Sequence, residues 1–197
     1  MLVQLRSLLA GAAFPWAVCG GYALELFAGR SLRPHGDVDL CLPEAARTAA
    51  IAFFLAKGWT IFEYRGMGRV KPIFHPQDSE PGRNLMTLHG SRPPVQFYPC
   101  EESGLLYHRF TPGMTELNFL DLLFGTVQDR PVLVRCGMPV IAPETALLYK
   151  AASPDDASAR ADFAAVFPLL DDSQQAWLRA ALTAKYPDGH PWLNEQE

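Results

Sequence analysis

The sequence predicts an α+β fold, a strand-rich core flanked by helices and followed by a C-terminal helical subdomain, and three observations carry that prediction. Short apolar stretches separated by proline and glycine turns fill residues 59–140. Helical patterns open the chain and return after Pro143. Between them, a strand, a glycine turn and a helix lead into an alternating segment that carries Asp37 and Asp39.

Taken in order, residues 1–13 read as an amphipathic helix, because Gln4 and Arg6 interrupt Leu2, Val3, Leu5, Leu8 and Leu9. The same interruptions argue against a signal peptide, and no apolar run is long enough to span a membrane. Residues 16–19 form a short strand, Gly20 and Gly21 turn the chain, and residues 22–27 form a helix closed by Gly29. A polar loop, 30–36, leads to residues 37–42, whose period of two points both aspartates to one face. Pro43 and Glu44 open a helix that runs to about Lys57, with Gly58 at its C-terminal cap. Strands are expected at 59–64, 70–74, 84–88, 95–98, 117–124 and 131–135. Residues 78–83 read as the least structured segment, and Pro93-Pro94 as a second break. Helices follow at 144–151, 155–167 and 173–186. The expected organisation is therefore a core over 1–142 and a helical subdomain over 143–197.

Composition narrows the function. With 197 residues, about half of them apolar, the chain can bury a core without covalent staples. Cys19, Cys41, Cys100 and Cys136 are widely spaced and form no metal knuckle, so a reducing cytoplasm is expected. A formal charge of -4 provides no electrostatic footprint for general nucleic-acid binding.

Two carboxylates two residues apart at a strand end can hold a divalent cation from one side. A third carboxylate on a neighbouring strand would complete the clamp and could take a proton from an attacking hydroxyl. Asp121 is the candidate, being a charge inside the apolar run of residues 120–124; Asp78, Glu101, Glu102 and Glu116 compete with it. Gly20 and Gly21 could bring backbone amides and a helix N-terminus against phosphate oxygens. Arg30, Arg33, His35 and Lys150 are the side chains that could complete an anion site.

Residues 20–30 together with Arg33-Pro34-His35-Gly36-Asp37-Val38-Asp39 resemble the aminoglycoside and lincosamide nucleotidyltransferase-like branch of the polymerase-beta-type nucleotidyltransferases. Residues 142–151 with Arg160-Ala161-Asp162-Phe163 resemble the segment that opens the helical half of the same proteins. The resemblance implies a mixed-sheet nucleotidyltransferase core with Mg²⁺ on the paired aspartates. It also implies transfer of a nucleoside monophosphate, AMP from ATP, to a hydroxyl of a small acceptor with release of pyrophosphate. An antibiotic-like acceptor is the family's best-known case, and Glu101, Glu102 and Glu116 could hold a polyamine. Two further readings stay open: a nucleotidyltransferase that modifies a protein or RNA partner, as toxin-neutralising relatives do, and a catalytically inactive nucleotide-binding relative.

Overall fold

The computed structural model describes residues 1–91, 94–111, 116–125 and 132–194. In chain order the elements are α1 (Leu2–Leu9), β1 (Ala17–Val18), α2 (Gly20–Ala28), β2 (Val38–Leu42), α3 (Arg47–Ala56), β3 (Thr60–Gly66), β4 (Arg69–Ile73), β5 (Leu85–Leu88), β6 (Val95–Pro99), β7 (Leu106–Phe110), β8 (Phe119–Phe124), β9 (Leu133–Arg135), β10 (Met138–Val140), α4 (Pro143–Lys150), α5 (Ala157–Val166), α6 (Asp172–Lys185) and α7 (Pro191–Asn194). The chain divides into two units, Met1–Ala17 with His35–Thr126, and Val18–Pro34 with Val127–Glu197. This division differs from the sequence boundary at 142. The helix α2 packs on α4 and α5, so its segment clusters with the C-terminal helices rather than with the strands that follow it.

In the first unit, seven strands form a mixed sheet in the order β6-β7-β4-β3-β5-β8-β2. The β2–β8 pair is parallel and the other pairs are antiparallel. Cross-strand partners share a face, so the register defines rows across the sheet. One row runs Asp39, Asp121, Met86, Phe62, Pro72. The next row, on the opposite face, runs Leu40, Leu122, Leu85, Glu63, Lys71. Leu40, Leu122 and Leu85 are fully buried, as are Ile51 and Phe54 of α3. Phe54 also meets the ring of Trp59 edge-on at 5.5 Å, which fixes the turn from α3 into β3.

The segment 78–83, expected to be loose, is held down by a buried pair of charges. Glu63 is fully buried and accepts from Ser79 Oγ at 2.8 Å and from Glu80 N at 2.6 Å. Arg47, itself buried, donates to Ser79 Oγ and to the Arg83 carbonyl, and its Nε is paired with Glu44. Each buried charge thus finds several partners, which is the condition for keeping it out of water.

The first helix stops at Leu9 instead of 13, ahead of a turn at Gly11. Two strands were not foreseen. In β7 most side chains are partly or fully exposed, so no apolar alternation marks it, while β10 is a three-residue strand after the turn at Gly137. Of the expected breaks and strands, Pro93 and Pro131 lie outside the described residues.

In the second unit, Val18 pairs in parallel with Val140, and β10 pairs antiparallel with β9. The helices pack as α4 on α5 and α6, with α7 against α6. The fifth helix starts at an Asp156 cap, whose side chain accepts from Ser158 N and Ala159 N, and it passes through Phe167, which keeps helical dihedrals, into a short 3-10 turn over Phe167–Leu169 that has Pro168 in its first turn. Phe163 stacks on Trp192 at 4.2 Å between ring centres. His190 links the last helix to α4: Trp192 N donates to its Nδ1 at 3.2 Å, so its Nε2 carries the hydrogen donated to the Ala151 carbonyl at 2.9 Å.

Candidate active site

Asp37 stands immediately before β2, Asp39 is its second residue, and Asp121 lies on β8 directly opposite Asp39 in the parallel register. One carboxylate oxygen from each lies within 4.8 Å of the others. Asp37 and Asp39 share a face by strand period, and the register supplies the third carboxylate from the neighbouring strand. The competing acids are engaged or lie elsewhere: Asp78 Oδ2 accepts from Phe74 N and His75 N, Glu102 pairs with Arg69, and Glu101 and Glu116 are exposed and outside the cluster.

Gly36 explains how the chain reaches this position. A side chain there would place its first carbon 2.5 Å from Phe110 Cζ, so glycine lets the backbone pass the ring just before Asp37 without the ring having to shift. Tyr64 is the group that sequence reasoning missed. It lies on the aspartate face, two residues beyond Phe62, and its hydroxyl donates to Asp121 Oδ1 at 2.7 Å. Its position on an alternating strand was the available signal, but a tyrosine in such a strand reads first as core.

Burial raises the Asp121 carboxyl well above the usual carboxylate range, and the charges of Asp39 and Asp37 push it the same way; the hydrogen bond from Tyr64 opposes them. The Tyr64 hydroxyl is likewise held far above its ordinary value, first by burial and then by Asp121. At an effective dielectric of about 20, two carboxylates ~5 Å apart repel by roughly 3 kcal/mol. Three oxygen ligands under mutual repulsion on one sheet face are the donor set that a hard divalent cation such as Mg²⁺ takes. The residues present therefore fit the ion expected from the sequence.

The remaining residues expected at the site belong to the second unit, apart from His35, which is partly buried in the first. Gly20 takes a left-handed φ of 60° at the first position of α2, a conformation that glycine adopts freely. Gly21 follows it in the first turn and is buried. Arg30 is exposed just beyond the helix. The loop after α2 is folded by Glu25, whose Oε1 accepts from Ser31 Oγ, Leu32 N and Arg33 N. Arg33 and Lys150 converge on Asp162. The guanidinium donates through Nε to Oδ1 at 3.1 Å and through Nη2 to Oδ2 at 3.0 Å, and Lys150 Nζ lies 2.9 Å from Oδ2. Two cations thus share one fully buried carboxylate.

The fold, a mixed sheet with three clustered carboxylates at a parallel strand pair, is like that of the nucleotidyltransferases among its structural neighbours. Residues 1–70 match the family model described as aminoglycoside-2''-adenylyltransferase, so the resemblance to the antibiotic nucleotidyltransferases read from the sequence is met. The solution structure of the antibiotic-resistance factor ANT(2'')-Ia is 15% identical, with a TM-score of 0.52 over 95% of this chain and 91% of that one. The crystal structure of ANT(2'')-Ia with adenylyl-2''-tobramycin gives 15% identity and 0.52 over 94% and 96%. The lincosamide antibiotic adenylyltransferase LnuA, with lincomycin bound, gives 13% and 0.50 over 86% and 96%. At these identities the likeness is one of fold. No curated protein matches the chain in sequence. No helix among the described residues is long and apolar enough to cross a membrane.

Proposed function

We propose that this protein is a Mg²⁺-dependent nucleotidyltransferase that transfers AMP from ATP to a hydroxyl of a small acceptor of the aminoglycoside or lincosamide kind. The observation that carries this reading is the meeting of Asp37, Asp39 and Asp121 within 4.8 Å. The family matched by residues 1–70 and the antibiotics bound to the structural neighbours support the acceptor class.

Asp37, Asp39 and Asp121 would hold the metal, which supplies charge neutralisation for the triphosphate. The acceptor oxygen bonds to the α-phosphorus while the bond to the departing pyrophosphate breaks. Asp121 takes the hydroxyl proton, a role open to it as the carboxylate that faces the paired aspartates from the neighbouring strand. Tyr64 orients that carboxylate through its hydrogen bond. For the phosphates the reading keeps Gly20, Gly21, Arg30, Arg33, His35 and Lys150, with Asp162 fixing two of these cations as a rigid pair.

The experiment is incubation with α-labelled ATP and Mg²⁺ against a panel of aminoglycosides, lincosamides, RNA and candidate partner proteins. Label should pass to a small acceptor and be lost in Asp37→Asn. Identical behaviour of wild type and variant in every lane would remove the enzymatic reading, and label on protein or RNA alone would replace the acceptor class.

A further inference from the structure

On the sheet face opposite the aspartates, a cavity of about 320 Å³ in the first unit is lined by Arg65, Arg69, Lys71 and Arg83 together with Glu102 and Ser103. Four of the chain's 17 lysines and arginines meet there, although the protein as a whole is acidic. We propose that this cavity is a binding site for a small phosphate-bearing anion with two or more charges, separate from the aspartate centre.

The carboxylates nearby do not exhaust these cations. Glu63 is buried and fixed by Ser79 and Glu80, and its Oε1 lies 2.8 Å from Arg65 Nη2. The other partners are loose. Glu80 pairs with Arg65 and Glu102 with Arg69, but their side chains are 53% and 62% exposed, and ion pairs of that kind stabilise little. Among the described residues, Lys71 donates to a backbone carbonyl, that of Asp78, at 2.8 Å, and Arg65 Nε and Arg69 Nε are both buried without a hydrogen-bond partner. A guanidinium grips an oxyanion best with Nε and an Nη together, and in both arginines the surface carboxylate occupies only the Nη groups. A phosphate group that displaces Glu102 and Glu80 would open the Nε edges, satisfy those donors and place its charge beside Lys71 and Arg83. The volume lies at the small end of ligand pockets, which suits a few phosphate groups rather than a larger molecule.

The test titrates inorganic pyrophosphate into the full chain by calorimetry in EDTA, where the metal-free aspartates repel anions. Saturable binding is expected, weakened at least tenfold in Arg69→Gln/Lys71→Gln, unchanged in Arg30→Gln at the phosphate-binding residues of the candidate active site, and tightened severalfold in Glu102→Gln, which removes the competing carboxylate. The last variant keeps the result decisive if the double variant folds poorly. The proposal is overturned by absence of saturable binding, by equal binding in the double variant, by loss of binding in Arg30→Gln, or by no gain in Glu102→Gln. Citrate binding as tightly as pyrophosphate would overturn the assignment to phosphate.

Discussion

The Tyr64 hydroxyl donates to Asp121 Oδ1 at 2.7 Å, reaching from β3 to β8 across the intervening β5. This bond favours the ionised carboxylate and fixes the direction of its second oxygen. Tyr64→Phe should therefore keep the fold and lower kcat about tenfold, the equivalent of one hydrogen bond to a charged group. Steady-state kinetics at saturating Mg²⁺ would show it, and an unchanged kcat would remove Tyr64 from the site.

Asp121 also makes a prediction about the metal-free protein. Its folded carboxyl is raised, so the protonated form is the one that the fold favours. The associated stability is complete below the unfolded value of about 3.9 and is lost as pH rises through the raised folded value. In EDTA at neutral pH, Asp121→Asn should melt higher than wild type, and lowering the pH should narrow the gap. Added Mg²⁺ should raise the Tm of wild type and leave the variant unmoved. Thermal melts with and without the ion check all three.

Asp162→Ala should be among the most damaging changes outside the candidate site. It strands Arg33 and Lys150, whose side chains are only 25% and 16% exposed, without their shared counter-ion. Breaking a buried pair in this way costs about 3–5 kcal/mol. Urea unfolding should show a loss of that order for Asp162→Ala and a smaller one for Asp162→Asn, which keeps one acceptor.

Gly36→Ala should push the Phe110 ring away or shift the backbone next to Asp37. The expected result is a large fall in transferase activity with a modest fall in Tm. Phe110→Ala, which clears the space, should restore activity to the Gly36→Ala background; failure of that rescue would mean the approach at Gly36 does not set the position of Asp37.

Much of the candidate site was legible because it lies in local pattern. A period of two places Asp37 and Asp39 on one face whatever the rest of the chain does. A charge inside the apolar run at 120–124 demanded a partner, and Asp121 meets Asp39 across the parallel register. Tyr64 and Gly36 were not legible in the same way. The first depends on β3 lying one strand away from β8, and the second on a ring 74 positions later, at Phe110. Neither relation leaves a trace in nearby sequence. Similarly, residues 78–83 look like loop by composition, and only the buried Glu63 and Arg47 show why the segment is anchored. The pairing of Arg33 with Asp162 spans 129 positions, and it turns two residues read as separate phosphate contacts into one electrostatic unit.

Asp39 and Asp121 are neighbours in space but 82 positions apart in sequence, and their strands meet only through a parallel pairing. Closing so long a loop carries an entropic penalty that local hairpins such as β3–β4 do not, so β2–β8 is suited to form late, after the antiparallel part of the sheet. That late step is also the one that crowds three negative charges together. Closing of the sheet and crowding of the three carboxylates therefore converge on the same event, and a divalent ion held as proposed by Asp37, Asp39 and Asp121 would speed folding by relieving repulsion at the last pairing to close.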